Sequence, residues 1–166
     1  TSSNGYTVSG HPRVSYSVHI VLDPHTGNPT QAIALQAKTA SVTTLTASVG
    51  TVRTSGIAGV GRTDTVTYSP AGFSPIFGTW EVNAAATTNN LTLSFAVPST
   101  APSTLDSPII VVNNYTRTTA PTQVLLNGTV LVANRDYFVS LRPNQSQLWI
   151  TLNKKLAGTN SFSIVN

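Results

Sequence analysis

Asn127-Gly128, set between Val124-Leu125-Leu126 and Thr129-Val130-Leu131-Val132, is the feature that leaves this chain the least freedom. Both residues tolerate positive φ, so the pair predicts a two-residue type I′ turn that folds two apolar runs back on each other. Downstream, Tyr137, Phe138, Val139 and Leu141 predict a further strand, which ends at Pro143-Asn144-Gln145-Ser146. Leu148, Ile150 and Leu152 then alternate with Trp149 and Thr151. Beyond Gly158, Phe162 and Ile164 alternate with Ser161, Ser163 and Val165. A period of two puts one set on a buried face and the other outward. Thr122–Val165 therefore reads as four or five short strands of an antiparallel sheet.

The upstream chain is the same material. Val14, Tyr16, Val18 and Ile20 alternate with Ser15, Ser17 and His19, and Asp23-Pro24-His25-Thr26-Gly27-Asn28-Pro29 is a turn cluster. Ile33, Leu35 and Ala37 share one side, and a threonine-rich stretch from 39 to 54 carries Val42, Leu45 and Val49. Val66 and Tyr68 are in strand register, 70–78 is irregular, and Thr79–Val82 and Leu91–Val97 read as strands. The stretches 39–54 and 91–97 carry apolar or β-branched residues on both faces, which predicts cover on both sides. No helical period persists beyond two turns. The fold class expected is all-β, an antiparallel Ig-like or jelly-roll-like β-sandwich, either one large sandwich or two small ones. Ser99-Thr100-Ala101-Pro102-Ser103-Thr104 is the boundary candidate, dividing an N-terminal sandwich (1–100) from a C-terminal Ig-like module (105–166), unless the two pack as a single domain.

Composition narrows the function. Only 8% of residues are charged, about a third of the usual share, while 44 are serine or threonine and 13 are asparagine. Solubility thus rests on hydroxyls and amides, a balance met in secreted and surface-exposed β proteins more than in intracellular enzymes. The net charge of +4 comes from scattered cations, with Lys154-Lys155 the sole adjacent pair, so no dense patch exists to displace counterions from nucleic acid. The absence of cysteine rules out disulfides and thiolate metal sites. No apolar run approaches the ~20 residues of a transmembrane segment. A chain without methionine that starts at Thr1 fits a processed mature form or a trimmed one.

Leu126-Asn127-Gly128, Asp136-Tyr137-Phe138-Val139-Ser140, the alternation from Leu148 to Leu152 and the closing Gly158-Thr159 follow one another in a particular order. That order resembles Ig-like accessory modules of secreted bacterial proteins, such as the X2 modules beside cellulases. The resemblance covers about the last 45 residues; residues 1–100 resemble no such family. It implies an extracellular, non-catalytic module and names no ligand.

Chemistry-bearing residues are few. The five carboxylates are Asp23, Asp64, Glu81, Asp106 and Asp136. Glycoside hydrolysis sets two across a scissile bond, and Glu81 with Asp64 is the pair least unsuited to it, although both read better as surface charges. His19, Asp23 and His25 are the metal candidates, since residues four apart on a strand share a face, but a fourth ligand is missing. No Gly-x-Ser-x-Gly elbow anchors a hydrolase triad. The expectation is a protein that is not an enzyme and that needs no cofactor. Two binding features remain. Trp149, opposite in phase to Leu148 and Ile150, would stand exposed beside Tyr137 or Tyr115 as a sugar-stacking face, or else close a second side of the sandwich; Trp80 reads as core. The sequons at Asn90, Asn114, Asn127 and Asn144 are glycosylation candidates, about as many as this composition yields by chance.

Two functions follow as expectations. The first is an extracellular or cell-surface structural subunit, a homo-oligomer or polymer such as a filament, pilus-like fibre or coat, with the polar N-terminal segment (Tyr6-Thr7-Val8 within residues 1–12) as a donor strand. The second is a carbohydrate-binding accessory module that takes a polysaccharide partner at Trp149.

Overall fold

The computed structural model describes residues 40–100 and 103–166; His19, Asp23, His25 and the expected donor segment lie outside them. In chain order the strands are β1 (Thr44–Val49), β2 (Thr51–Val52), β3 (Ser55–Ile57), β4 (Thr65–Thr67), β5 (Phe73–Ser74), β6 (Thr79–Asn83), β7 (Leu91–Val97) and β8 (Leu105–Asp106). They continue as β9 (Ile109–Asn113), β10 (Gln123–Leu126), β11 (Thr129–Val130), β12 (Tyr137–Arg142), β13 (Gln147–Leu152), β14 (Lys155–Leu156) and β15 (Gly158–Val165). The Asn127-Gly128 turn forms as its chemistry requires. Its φ angles are 51° and 80°, and it sets Leu126 opposite Thr129 and Leu125 opposite Val130.

The chain is an all-β, sandwich-like fold of two main sheets. One sheet has the order β1-β7-β15-β10-β11; the other runs β12-β13-β9-β6-β2, with β5 also on β6. Pairing is antiparallel except between β6 and β9, which run parallel. Two small ribbons, β3-β4 and β8-β14, lie outside these sheets. Strands from either side of the 99–104 stretch pair directly: β7 with β15, and β6 with β9. Their inward residues belong to one hydrophobic cluster, which includes Leu93, Phe95 and Phe162 from the first sheet and Trp80, Ile110 and Ile150 from the second.

Period two explains why these residues meet. Along β7, Leu91, Leu93, Phe95 and Val97 are buried, while Thr92, Ser94 and Ala96 are not. The cover expected on both faces of this strand is therefore missing. Its outer face is coated with hydroxyls, and Ser163 Oγ donates to Thr92 Oγ1 at 3.2 Å. Burial on both faces falls on β6 and β9, where Thr79 to Val82 and Ile110 to Asn113 are all buried. A parallel pair in the middle of a sheet is the place where two-sided cover is expected. Trp80 anchors the inner side, with its ring 5.1 Å from Phe73 and 5.4 Å edge-on from Phe95. Trp80→Ala is expected to lower the unfolding free energy by about 3–5 kcal/mol, read as a reduced urea midpoint; an unchanged midpoint would show that this ring does not hold the layers together.

Candidate interaction surface

The outer face of the six-stranded sheet carries a polar network. Thr79 Oγ1 donates to Glu81 Oε2 at 3.0 Å, and Asn113 Nδ2 donates to Glu81 Oε1 at 3.2 Å. Gln147 Nε2 donates to Asn113 Oδ1 at 2.8 Å, and Trp149 Nε1 donates to Gln147 Oε1 at 3.0 Å. The Arg53 guanidinium stands 3.9 Å from Glu81. Beside it, burial first and the Glu81 carboxylate second raise the pKa of the Tyr68 hydroxyl. Glu81 is therefore not the surface charge that the sequence suggested. It is buried, and its oxygens are held by a hydroxyl, an amide and a guanidinium. Asp64, its proposed companion, is exposed and tied to Arg62 at 2.7 Å. No buried side-chain polar atom among the described residues lacks a hydrogen-bond partner. The network is satisfied without a ligand, which is the arrangement of a structural brace.

The three aromatic residues read from the sequence as a binding face are not brought together. Tyr137 opposes Leu152 and faces the core, and Tyr115 is fully buried with its hydroxyl 2.8 Å from Asn166 Oδ1. Trp149 does point outward, opposite Ser140 and Val111, but it is half-buried and the Arg142 guanidinium sits 4.3 Å above its ring. Of the sequons, Asn114 and Asn144 are exposed. Asn90 is half-buried and its Oδ1 accepts from Asn166 N at 2.9 Å, and Asn127, though exposed, spends its Nδ2 on Asn160 Oδ1 at 3.0 Å. Among the described residues no cluster of three metal-ligating side chains occurs.

What distinguishes one flank is the way the sheets end. On the far side, β1 is broken by a register shift between Ala47 and Val49, and the other sheet ends in the two-residue strands β2 and β5. Bulges and short strands are common ways to blunt an edge. On the near side β11 is also two residues long, but β12 pairs with β13 over six unbroken positions and has no described neighbour on its other side. Along this flank Val130, Val132, Phe138 and Val139 are 51%, 48%, 46% and 38% exposed. From Tyr137 to Leu141 the strand carries neither charge nor proline.

Asp136 fixes the loop that carries the chain from β11 to β12. Its Oδ2 accepts from Val132 N at 2.9 Å and Arg135 Nη2 at 2.8 Å, and its Oδ1 accepts from Lys154 Nζ at 2.8 Å. The Arg135 guanidinium first, then the Lys154 ammonium and the Val132 amide, hold this carboxyl well below its ordinary value of 3.8. The sequence marked Lys154 only as part of the one adjacent cation pair; it is the register setting Tyr137 opposite Leu152 that carries Lys154 alongside Arg135 and Asp136.

Compared with protein-family models, curated proteins and solved structures, the chain matches none.

A carboxyl that is more acidic folded than unfolded stabilises the fold above its ordinary range, and that contribution disappears as the pH falls through and below 3.8. Asp136→Asn is therefore expected to unfold at lower urea than the parent chain at neutral pH, with the two curves converging in acid. Parallel curves at every pH would show that the clamp does not contribute through ionisation.

Proposed function

We propose that this chain is a non-catalytic structural subunit of an extracellular assembly, a filament, pilus-like fibre or coat, which associates with copies of itself through the flank made by β11 and β12. One observation carries the reading. The single long, regular edge among the described strands is also uncharged and largely apolar from Tyr137 to Leu141, and exposed edges of that kind template strand pairing. The hydroxyl-rich, charge-poor composition supports it, as does the likeness of the last 45 residues to extracellular accessory modules. A polymer needs contacts that do not close on themselves. In this reading the N-terminal segment around Tyr6-Thr7-Val8 supplies one by donating a strand to a neighbour. The carbohydrate-binding alternative has less support, because Arg142 already covers one face of Trp149 and both tyrosines lie inside.

Val139→Lys adds the charge with which natural edges deter pairing, at a position already partly exposed. It is expected to weaken self-association by about tenfold or more while leaving the circular dichroism spectrum unchanged. Light scattering across a concentration series checks this, and a parent chain that stays monomeric at every concentration would refute the reading.

A further inference from the structure

The open edge has a polarity that can be read residue by residue. The Asp136 carbonyl accepts from Asn153 N at 2.8 Å, the Tyr137 carbonyl accepts from Asn134 N at 2.8 Å, and Leu152 N donates across to Pro108 O at 3.1 Å. Tyr137 and Leu152 thus oppose each other without exchanging bonds. By the alternation of an antiparallel ladder, residues 138, 140 and 142 bond inward to β13, whereas Val139 and Leu141 turn their N–H and C=O groups outward. The edge is closed at both ends. Residues 133 and 134 lie against Tyr137, whose carbonyl is already engaged and which bridges Ala133. Pro143, which has no N–H, opens a 3-10 turn after Arg142. Among the described residues, the outward backbone groups of this strand that have no partner are those of Val139 and Leu141.

We infer that the partner for this edge is the same edge of a second copy, with the two β12 strands antiparallel about a two-fold axis at Ser140. This rests on the reading of the flank as a self-association surface and adds its partner strand and register. Val139 then opposes Leu141 of the second copy, and each such pair exchanges two main-chain bonds, so every outward group is used. A two-fold centred on Val139 would instead need Tyr137, whose edge the 133–134 turn occupies. Centring between residues would place the inner face of one copy against the outer face of the other. In the Ser140 register the half-exposed inner residues Val139 and Leu141 cover one another. Phe138 meets Arg142 of the second copy, a guanidinium held back on its own Trp149. Val130 and Val132 extend the apolar rim on the same flank.

The register is testable because the chain has no cysteine. Two Ser140 residues on the axis form a non-hydrogen-bonded pair with Cα atoms about 4.5 Å apart, within the roughly 4.4–6.8 Å span of a disulfide. Full-length Ser140→Cys, exposed and conservative, is expected to oxidise in air to a covalent dimer at concentrations where Val60→Cys and Val130→Cys remain monomeric on non-reducing gels. Val139→Pro removes an outward N–H without touching the bonds to β13, and is expected to abolish the non-covalent dimer while keeping the parent's circular dichroism. If the parent chain self-associates but Ser140→Cys cross-links no better than Val60→Cys, the register is wrong and the assembly reading stands. Should self-association be lost instead on deleting residues 1–12, with Val139→Pro silent, donor-strand exchange replaces this pairing. A monomeric parent and an uncross-linked Ser140→Cys would end both.

Discussion

A β-sandwich can satisfy its main-chain amides everywhere except along its outermost strands, and what it does there governs how it meets other molecules. Among the described strands three of the four outer margins are foreshortened or kinked: β1 by its register shift, β11 and the β2/β5 pair by their length. The fourth, β12, runs straight for six residues. Its regularity is imposed from behind, since β13 pairs with it at every position and is itself anchored by Leu148, Ile150 and Leu152 in the core. The loop ahead of it is pinned by Asp136. The margin is thereby held in register from behind, and no described strand pairs with its outer side.

The same strand order explains the buried polar row. β6 and β9 run parallel in the middle of their sheet and are buried on both faces, yet their outward positions hold Thr79, Glu81 and Asn113 together with Val111. A carboxylate in such a place costs several kcal/mol unless it is well compensated, and here a hydroxyl and an amide bond it while the Arg53 guanidinium stands 3.9 Å away. The chain of contacts from Glu81 through Asn113 and Gln147 to Trp149 ties β6, β9 and β13 together by side chains as well as by backbone.

Much of this architecture was legible in the residues themselves. Asn127-Gly128 announced its turn because few other pairs accept two positive φ values, and the alternation from Gln147 to Leu152 placed Trp149 opposite to Ile150 as found. What the pattern could not supply was long-range pairing. That β6 lies parallel to β9, with Glu81 beside Val111, depends on contacts across 30 residues, so Glu81 looked like any charge near a strand end. The same gap misplaced the tyrosines. Periodicity assigns a residue to a face but does not say which face of which sheet looks inward, and both Tyr115 and Tyr137 proved to be core. That β12 lies outermost among the described strands was hidden for the same reason, since an edge is a property of the assembled sheet.

The scarcity of ions has a consequence for where such a molecule can persist. Of the ion pairs among the described residues, Arg62–Asp64 and Lys155–Asp106 are well exposed and hold little together; the cluster at Asp136 and the Arg53–Glu81 contact are the more sheltered ones. At ordinary ionic strength screening reaches over roughly 8 Å, but it has little here to weaken. Among the described residues cohesion comes mainly from packed hydrocarbon and from uncharged amides and hydroxyls, so the difference between fresh water and brine finds few ion pairs there to loosen.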